Sequence, residues 1–186
     1  RVHLSLGVLA LRRGDFAAAD AHFMRARPLY GKRPPTAVWF HSASLAAALA
    51  GQLEKTVALL QEGTEAHPHA AALHNNFAVA LMALGRYEEA QAAVRRGLQE
   101  DPGLAPLHRN LGDLHLAFGD RHAAMESYGQ AVRHHETLGP EVWARLGALR
   151  AEAGDADAAR TALQQALVLD PTHEAARAQL DALRGG

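Results

Sequence analysis

The chain has 186 residues, of which 48% are hydrophobic and only 5% are aromatic, and it contains no cysteine. Disulfide bonds and thiolate metal sites are therefore excluded. The formal net charge of −1 gives no electrostatic reason to predict binding to nucleic acid or to an acidic membrane. The apolar residues are mainly Ala and Leu, which favours close-packed helices over sheets. No apolar run approaches the ~20 residues of a membrane span.

A glycine recurs along the chain after each short apolar helical pattern. The separations are 37, 34, 34 and 35 residues, for Gly14, Gly51, Gly85, Gly119 and Gly154. Glycine suits the left-handed residue that ends a helix, because it has no Cβ to clash. A period near 34 residues is typical of helix–turn–helix repeats. Because residue 1 is Arg and residues 2–13 already have a helical pattern, we interpret the sequence as a piece of a longer chain.

Other residues keep constant distances from these glycines. Small residues lie seven positions before them, at Gly7, Ser44, Ala78, Gly112 and Gly147, and five positions after them, at Ala19, Thr56, Ala90, Ala124 and Ala159. Small side chains let two antiparallel helices approach closely. Larger residues nine positions after the glycines are predicted to wedge between neighbouring units: Phe23, Leu60, Val94, Tyr128 and Leu163.

This spacing predicts five helix pairs, at about residues 1–33, 37–70, 71–104, 105–138 and 140–173. Pro34 and Pro35 stiffen the longer first connection, so we do not interpret it as a domain boundary. Residues 174–184 have one more helical pattern, richer in charge, which is predicted to cap the last apolar face. We therefore predict a single array over residues 1–184.

Local motifs point to a known family. They are Leu6-Gly7 with Gly14-Asp15-Phe16, Phe77-Ala78 with Gly85-Arg86-Tyr87 and Ala90, Leu111-Gly112 with Gly119-Asp120, and Trp143 with Leu146-Gly147, Gly154-Asp155 and Asp170-Pro171. With five units in register, the chain resembles the tetratricopeptide repeat family over nearly its whole length. The second unit departs most, since it has Ala43-Ser44 and Thr56 where the family prefers Leu-Gly and Ala. The resemblance implies an all-α fold, a right-handed α–α superhelix of five helix pairs plus a C-terminal capping helix, whose first helices line an inner groove.

The twelve histidines raise the question of a metal or catalytic site. Three of them precede a small residue by four positions, where the other two units have aromatic rings, so we interpret them as packed rings: His3, His74 and His108. Two turns, His67-Pro68-His69 and His134-His135-Glu136, lack a third ligand at a fixed spacing. The sequence has no nucleophile elbow, dinucleotide-binding loop or P-loop. We predict no catalytic residue, no metal site and no cofactor.

The inner-groove positions follow from the same spacing, one helical turn before and after each small residue. In the second to fourth units they are His41, Leu45, Leu49, Asn75, Val79, Met82, Arg109, Asp113 and Leu116. The strip is apolar at first and charged later, which is typical of a groove that receives a peptide or an amphipathic helix. The alternative is that residues such as Leu45 and Val79 pack only between helices.

A second series lies two residues before the small residues and includes Asn76, Asn110 and Arg145. Asn76 and Asn110 are 34 residues apart, so the repeat points them the same way from adjacent units. The family resemblance implies that such asparagines line the groove and can bind a peptide backbone. The alternative is that their amides hydrogen-bond a neighbouring helix. Arg109 is predicted to bind an acidic side chain of the ligand, and Asp113 to repel one.

The resemblance implies a protein–protein interaction scaffold rather than an enzyme, with a peptide or helical segment of another protein lying over the second to fourth units. The alternative is a self-association or structural spacer module attached to a catalytic or signalling domain. A scaffold is expected to be monomeric, whereas the alternative predicts self-association. No nucleic-acid partner is predicted. The compartment stays open, with a cytoplasmic location preferred over a periplasmic one.

Overall fold

A computed structural model describes residues 2–135 and 138–185, and all regular structure within those ranges is helical. The α-helices are α1 Val2–Arg12, α2 Phe16–Ala26, α3 Ala37–Leu49, α4 Leu53–Ala66, α5 Ala71–Ala83, α6 Tyr87–Glu100, α7 Ala105–Ala117, α8 Arg121–His134, α9 Pro140–Glu152, α10 Ala156–Leu169 and α11 Glu174–Gly185. A short 3₁₀ helix, Arg27–Tyr30, follows α2. Helices α1 to α10 pack in consecutive pairs. The predicted all-α fold of helix pairs with a final additional helix is confirmed.

The recurring glycines form the turns within the pairs, and all five have a positive φ. At Gly85 φ is 71°, and the N–H of Arg86 donates to the Leu81 carbonyl at 2.9 Å. Residues with a Cβ rarely adopt this left-handed conformation. At the equivalent turn before α8, the carboxylate of Asp120 accepts the N–H of Ala123 at 2.9 Å, which caps the new helix. A glycine, with an aspartate after it in several units, thus ends one helix and starts the next.

The chain divides into two compact units, Arg1–Pro102 with α1 to α6 and Gly103–Gly186 with α7 to α11. The single array over residues 1–184 stays a prediction. None of the helices in the described ranges is long and apolar enough to cross a lipid bilayer.

Large residues fill the space above small ones in the first unit. The ring of Phe23 in α2 lies over Gly7 in α1, where an added Cβ would be 3.0 Å from ring atoms. Trp39 in α3 is buried and donates its indole N–H to the Phe23 carbonyl at 3.3 Å, which joins the first pair to the second. Two ion pairs of 2.6 Å also join these two pairs: Lys55–Asp20 and Arg27–Glu62.

The same kind of contact closes the pairs of the second unit. An added Cβ at Gly112 would be 2.7 Å from the ring of Tyr128, and one at Gly147 would be 2.7 Å from Leu163. The sequence predicts wedges between neighbouring units, whereas these residues first fill the space above a glycine of their own pair. Tyr128 then also belongs to an apolar cluster with residues of α9. The wedge prediction is therefore correct only in part.

The last helix covers the end of the second unit. Ala176 and Leu180 of α11 are buried and pack with Leu163 and Ala166 of α10 and with Ala144 of α9. Most of its other residues are exposed. This is the arrangement expected of a capping helix, which buries one face and exposes a polar one.

Candidate functional site

A cleft of about 200 Å³ opens between α3 and α5 in the first unit. Leu45 and Ala48 of α3 line one side, and Val79, Ala80 and Ala83 of α5 line the other. Helix α4 contributes further lining residues: Leu53, Thr56 and Leu60. Because alanines stand on both sides, the two helices leave a space that larger side chains would fill.

Two polar side chains, His41 and Asn76, also line this cleft. The Nδ2 of Asn76 lies 2.8 Å from the Nδ1 of His41, and the Nδ2 of Asn75 donates to the Oδ1 of Asn76 at 3.3 Å. With its oxygen accepting from Asn75, the Asn76 amide donates to His41, which then carries its proton on Nε2. The cleft is therefore apolar, with a pre-oriented polar group on its lining.

A charged network occupies the face between α7 and α9 in the second unit. The Nη1 of Arg145 lies 2.5 Å from the Oδ1 of Asp113, and the hydroxyl of Tyr128 donates to the same oxygen at 2.5 Å. Glu141 accepts from the Nε of Arg145 at 3.1 Å and pairs with the Nε2 of His173, also at 3.1 Å. These contacts join side chains from α7, α8 and α9 to His173, the residue before α11. A smaller cavity of about 130 Å³ lies beside them.

The network shifts three pKa values, and that of Arg145 is raised through its hydrogen bonds with Tyr128 and Glu141. Burial, together with the hydrogen bond to Asp113, raises the pKa of Tyr128, so its hydroxyl remains a donor at neutral pH. The hydrogen bond from Arg145, and then that from His173, holds the pKa of Glu141 below its usual range. Because Arg145 pairs with Asp113, the repulsion of an acidic ligand predicted for Asp113 is largely neutralised.

The predicted groove residues of the first unit fall into two sets. The cleft is lined by His41, Leu45, Asn76 and Val79. The others, Leu49, Asn75 and Met82, are not among its lining residues, although Asn75 orients Asn76. Leu49 is exposed on α3. The cleft thus brings together part of the predicted strip and adds residues from α4.

The predicted residues of the second unit have different surroundings. The smaller cavity is lined by Arg109, Asp113 and Arg145. Leu116 packs against the apolar cluster between α8 and α9. Asn110 is only 2% exposed, and its Oδ1 accepts from the Nη2 of Arg109 at 3.2 Å. For Asn110 this burial favours the alternative, in which the amide serves the fold.

Sequence reasoning missed several residues of both sites. In the first unit it missed Thr56 and Leu60, because second helices were interpreted only as packing elements. Ala48 and Ala83 lie near the ends of two successive first helices, and small residues there are a signal for the cleft. In the second unit Tyr128 was predicted as a wedge, and its hydroxyl was not considered.

The histidines predicted to pack as rings all have ring or carbonyl contacts. His74 is buried, and its Nε2 lies 2.8 Å from the Pro68 carbonyl oxygen. Two stacked pairs have ring centroids 5.6 and 5.2 Å apart: His3 with His22, and His108 with His134. Contacts to rings and to the backbone are the roles expected of packed imidazoles.

The histidines in the turns also have partners. The Nε2 of His67 lies 2.7 Å from the Pro35 carbonyl oxygen, and the Nδ1 of His69 lies 2.8 Å from Glu100. Glu136 of the second turn lies outside the described residues. Within the described ranges, no three His, Asp or Glu side chains form a group that could bind a metal ion.

Comparisons with known proteins agree on the repeat. Two family models, both described as Tetratricopeptide repeat, match residues 47–111 and 109–174. No curated protein has significant sequence similarity to the chain. Among solved structures, pilF of Pseudomonas aeruginosa is 16% identical with a TM-score of 0.83, over 98% of this chain and 87% of that one.

Two further structures are similar over almost the whole chain. A thermophilic TPR protein of Thermus thermophilus is 22% identical with a TM-score of 0.71, over 99% of this chain and 98% of that one. YrrB, described as a TPR protein with an unusual peptide-binding site, is 14% identical with a TM-score of 0.69, over 95% and 89% of the two chains. At these identities the similarity shows the fold. Since the family models match residues in both compact units, the chain belongs to the tetratricopeptide repeat family.

Proposed function

We propose that this protein is an interaction scaffold whose cleft between α3 and α5 binds one apolar side chain of an extended peptide. The fold supports a scaffold for protein–protein contacts in general, because tetratricopeptide repeats typically serve as non-catalytic interaction modules. The observation that carries the peptide proposal is the apolar cleft of about 200 Å³ with His41 and Asn76 on its lining.

The size of the cleft determines which side chain of a peptide ligand can fit into it. An apolar cavity of roughly 150 Å³ is sufficient to bind benzene. A cleft of about 200 Å³ therefore has room for a single Leu, Met or Phe side chain, but not for a helix face with several anchors. The exposed side chains of Leu45 and Val79 would lose their contact with water on binding, which favours an apolar ligand.

The polar groups suit a peptide backbone. With the Asn76 amide donating to Nδ1, the His41 ring has an Nε2–H that is able to donate to a peptide carbonyl. The orientation of Asn76 is already determined by Asn75, so little side-chain freedom is lost on binding. YrrB, which shares the fold, is described as having a peptide-binding site, and this is consistent with the proposal.

The residues of the second unit contribute less to this proposal. Arg145 and Asp113 already pair with each other, and Asn110 is buried. Arg109 lines the smaller cavity, and we retain it as a candidate contact for an acidic side chain.

The proposal is tested with a phage-displayed library of random short peptides selected on the full chain. We expect the selected peptides to share one Leu, Met or Phe residue. Val79→Lys places a charge in the cleft and should weaken their binding about tenfold or more, measured by isothermal titration calorimetry. Val168→Lys is the matched control, because Val168 is also an exposed valine on a helix but does not line the cleft. Equal binding by Val79→Lys and the wild type would contradict the proposal.

A further inference from the structure

The connection between α2 and α3 is longer than the repeat requires. Residues 27–36 join these two helices, whereas only residues 67–70 join α4 to α5 and residues 170–173 join α10 to α11. The additional residues form the 3₁₀ helix Arg27–Tyr30 and a turn at Gly31, whose φ is 60°. The shorter connections show that consecutive pairs are joined without such a segment, so this one is available for another role.

This connection and the end of α2 are strongly basic. The sequence has no acidic residue between Asp20 and Glu54, and its arginines and lysines there are Arg25, Arg27, Lys32 and Arg33. Arg27 donates two hydrogen bonds, of 2.6 and 2.7 Å, to the carboxylate of Glu62. Within residues 2–135 and 138–185, the exposed side chains of Arg25, Lys32 and Arg33 have no hydrogen bond or ion pair. Three positive charges are thus left without a counter-charge from these residues.

An exposed leucine lies among these charges. Leu29 of the 3₁₀ helix is 66% exposed, and Arg25 lies within about one turn of it, because the 3₁₀ helix continues directly from α2. The N–H of Arg33 donates to the carbonyl of Tyr30 at 3.2 Å, which folds Lys32 and Arg33 back towards the end of the 3₁₀ helix. We call this surface the basic turn and define it by Arg25, Leu29, Lys32 and Arg33.

Neighbouring rings and backbone hold the basic turn in place. The guanidinium carbon of Arg27 lies 5.8 Å from the centre of the Trp39 ring, and the Tyr30 ring packs edge-on against the same tryptophan, with centroids 6.3 Å apart. At the other end of the connection, the carbonyl oxygen of Pro35 lies 2.7 Å from the Nε2 of His67. Because the segment is fixed before a partner arrives, it loses little conformational freedom on binding.

We propose that the basic turn binds a short acidic segment of a partner protein, with Asp or Glu side chains on both sides of one apolar residue. The carboxylates pair with Arg25, Lys32 and Arg33, and the apolar residue covers Leu29. The occupant is a protein segment because the fold supports protein–protein contacts in general. The inference rests on that part of the proposed function, and it does not depend on peptide binding in the cleft between α3 and α5.

Two other anionic partners fit the basic turn less well. Polybasic segments that bind anionic lipids typically have clusters of about 4–8 Lys and Arg residues, whereas the basic turn has only Arg25, Lys32 and Arg33. Single-stranded nucleic acid is bound largely by aromatic rings on which the bases stack, and the Tyr30 ring already packs against Trp39. The net charge of −1 also provides no long-range attraction to either partner.

The probe is a fluorescein-labelled synthetic peptide in which three Glu residues precede and three follow a single Leu. We expect it to bind the full chain in fluorescence anisotropy, and to bind more weakly as the salt concentration rises. Lys32→Glu combined with Arg33→Glu should weaken binding about tenfold or more. The melting temperature should not fall, because both side chains are exposed.

The matched control is Arg12→Glu combined with Arg13→Glu. These two arginines are also adjacent and exposed, they lie near the other end of α2, and their replacement changes the net charge by the same amount. The role of Leu29 is tested with a second peptide that has Gly in place of the Leu. This peptide should bind the wild-type chain more weakly, and Leu29→Ala should not weaken it further.

Four outcomes would overturn the inference. The first is the absence of binding to the wild-type chain, and the second is an equal loss of binding in the control variant. The third is a loss caused by Val79→Lys but not by the reversals at Lys32 and Arg33, which would place the peptide in the cleft. The fourth is binding of phosphatidylserine vesicles or a single-stranded oligonucleotide, but not of the peptide, in a manner that requires Lys32 and Arg33.

Self-association is checked by light scattering. A concentration-dependent dimer that is lost when Lys32 and Arg33 are reversed would make a second copy the occupant and would also overturn the inference. Failure of this inference is distinguishable from failure of the cleft proposal, because the cleft is tested with separately selected peptides and with Val79→Lys.

Discussion

The two compact units differ at equivalent positions on the first helices of their pairs. In the first unit these positions line an open cleft, whereas in the second unit charged side chains pair across the same face. Val79 in α5 and Asp113 in α7 are 34 residues apart and occupy equivalent positions. Val79 is exposed and lines an apolar cleft, whereas Asp113 accepts hydrogen bonds from Arg145 and Tyr128. A carboxylate has strong acceptor atoms and attracts donors from neighbouring helices, whereas a valine does not.

The comparison shows how one backbone repeat can produce different surfaces. The helices, turns and glycine contacts are alike in both units, so the fold does not select between an open and a closed face. A few side chains at equivalent positions decide it. The three predictions that follow test this difference, and they are ordered by the size of the expected effect.

Removing the central ring of the closed face should have the largest effect. Tyr128 is fully buried, so Tyr128→Ala should lower the free energy of unfolding by about 3–5 kcal/mol. Leu45 in the open cleft is 41% exposed, so Leu45→Ala should lower it by less than about 1 kcal/mol. The two tryptophans of the chain, Trp39 and Trp143, report on the first and second unit in urea unfolding followed by fluorescence.

Each unit is followed most clearly in a variant that keeps one tryptophan. Trp143→Phe leaves Trp39 as the reporter of the first unit, and Trp39→Phe leaves Trp143 as the reporter of the second. Similar losses for Tyr128→Ala and Leu45→Ala would mean that the two faces do not differ in packing.

The equivalent asparagines should respond differently to truncation. Asn110 is buried and accepts from Arg109, so Asn110→Ala leaves a polar group without its partner and should cost about 1–3 kcal/mol. Asn76 lies at the open cleft, so Asn76→Ala should cost about 0.5 kcal/mol or less. It should instead weaken the binding of the selected peptides. Thermal unfolding of both variants, and calorimetry for Asn76→Ala, provide the test. Equal stability losses would indicate that Asn76 also serves the fold.

The closed face should make the second unit sensitive to alkaline pH. Since the pKa of Tyr128 is higher in the folded protein than in the unfolded chain, its contribution to stability is complete below about pH 10 and is lost as the pH rises. We expect a loss of about 1 kcal/mol between pH 10 and 11. Tyr128→Phe should remove this part of the dependence, because Phe does not ionise. The check is urea unfolding followed by Trp143 fluorescence across this pH range. An identical slope for both proteins would contradict the assignment to Tyr128.

Much of the fold was predictable because local rules determine it. The turn glycines Gly85 and Gly119 have the left-handed conformation expected from their spacing. The small residues Gly7 and Gly112 lie under large rings, as close helix packing requires. It was harder to predict which helices the large residues pack against, because Tyr128 contacts both Gly112 of its own pair and residues of α9.

The candidate site was predictable only in part. The register placed His41, Leu45, Asn76 and Val79 near one another, and the structure shows that they line one cleft. The register also treated Asn76 and Asn110 as equivalent, whereas Asn76 lines a cleft and Asn110 is buried. Burial depends on which side chains pack around each amide, and a spacing rule does not contain those contacts.

The sequence by itself determined the helix pairs, their turns and the membership in the tetratricopeptide repeat family, because a 34-residue pattern of glycines and small residues acts locally in every unit. Only the tertiary structure decided which faces are open. Alanines on α3 and α5 leave a cleft, whereas Arg145 reaches across to Asp113 and closes the equivalent face of the second unit. These differences arise from contacts between helices far apart in sequence, which the repeat pattern does not encode.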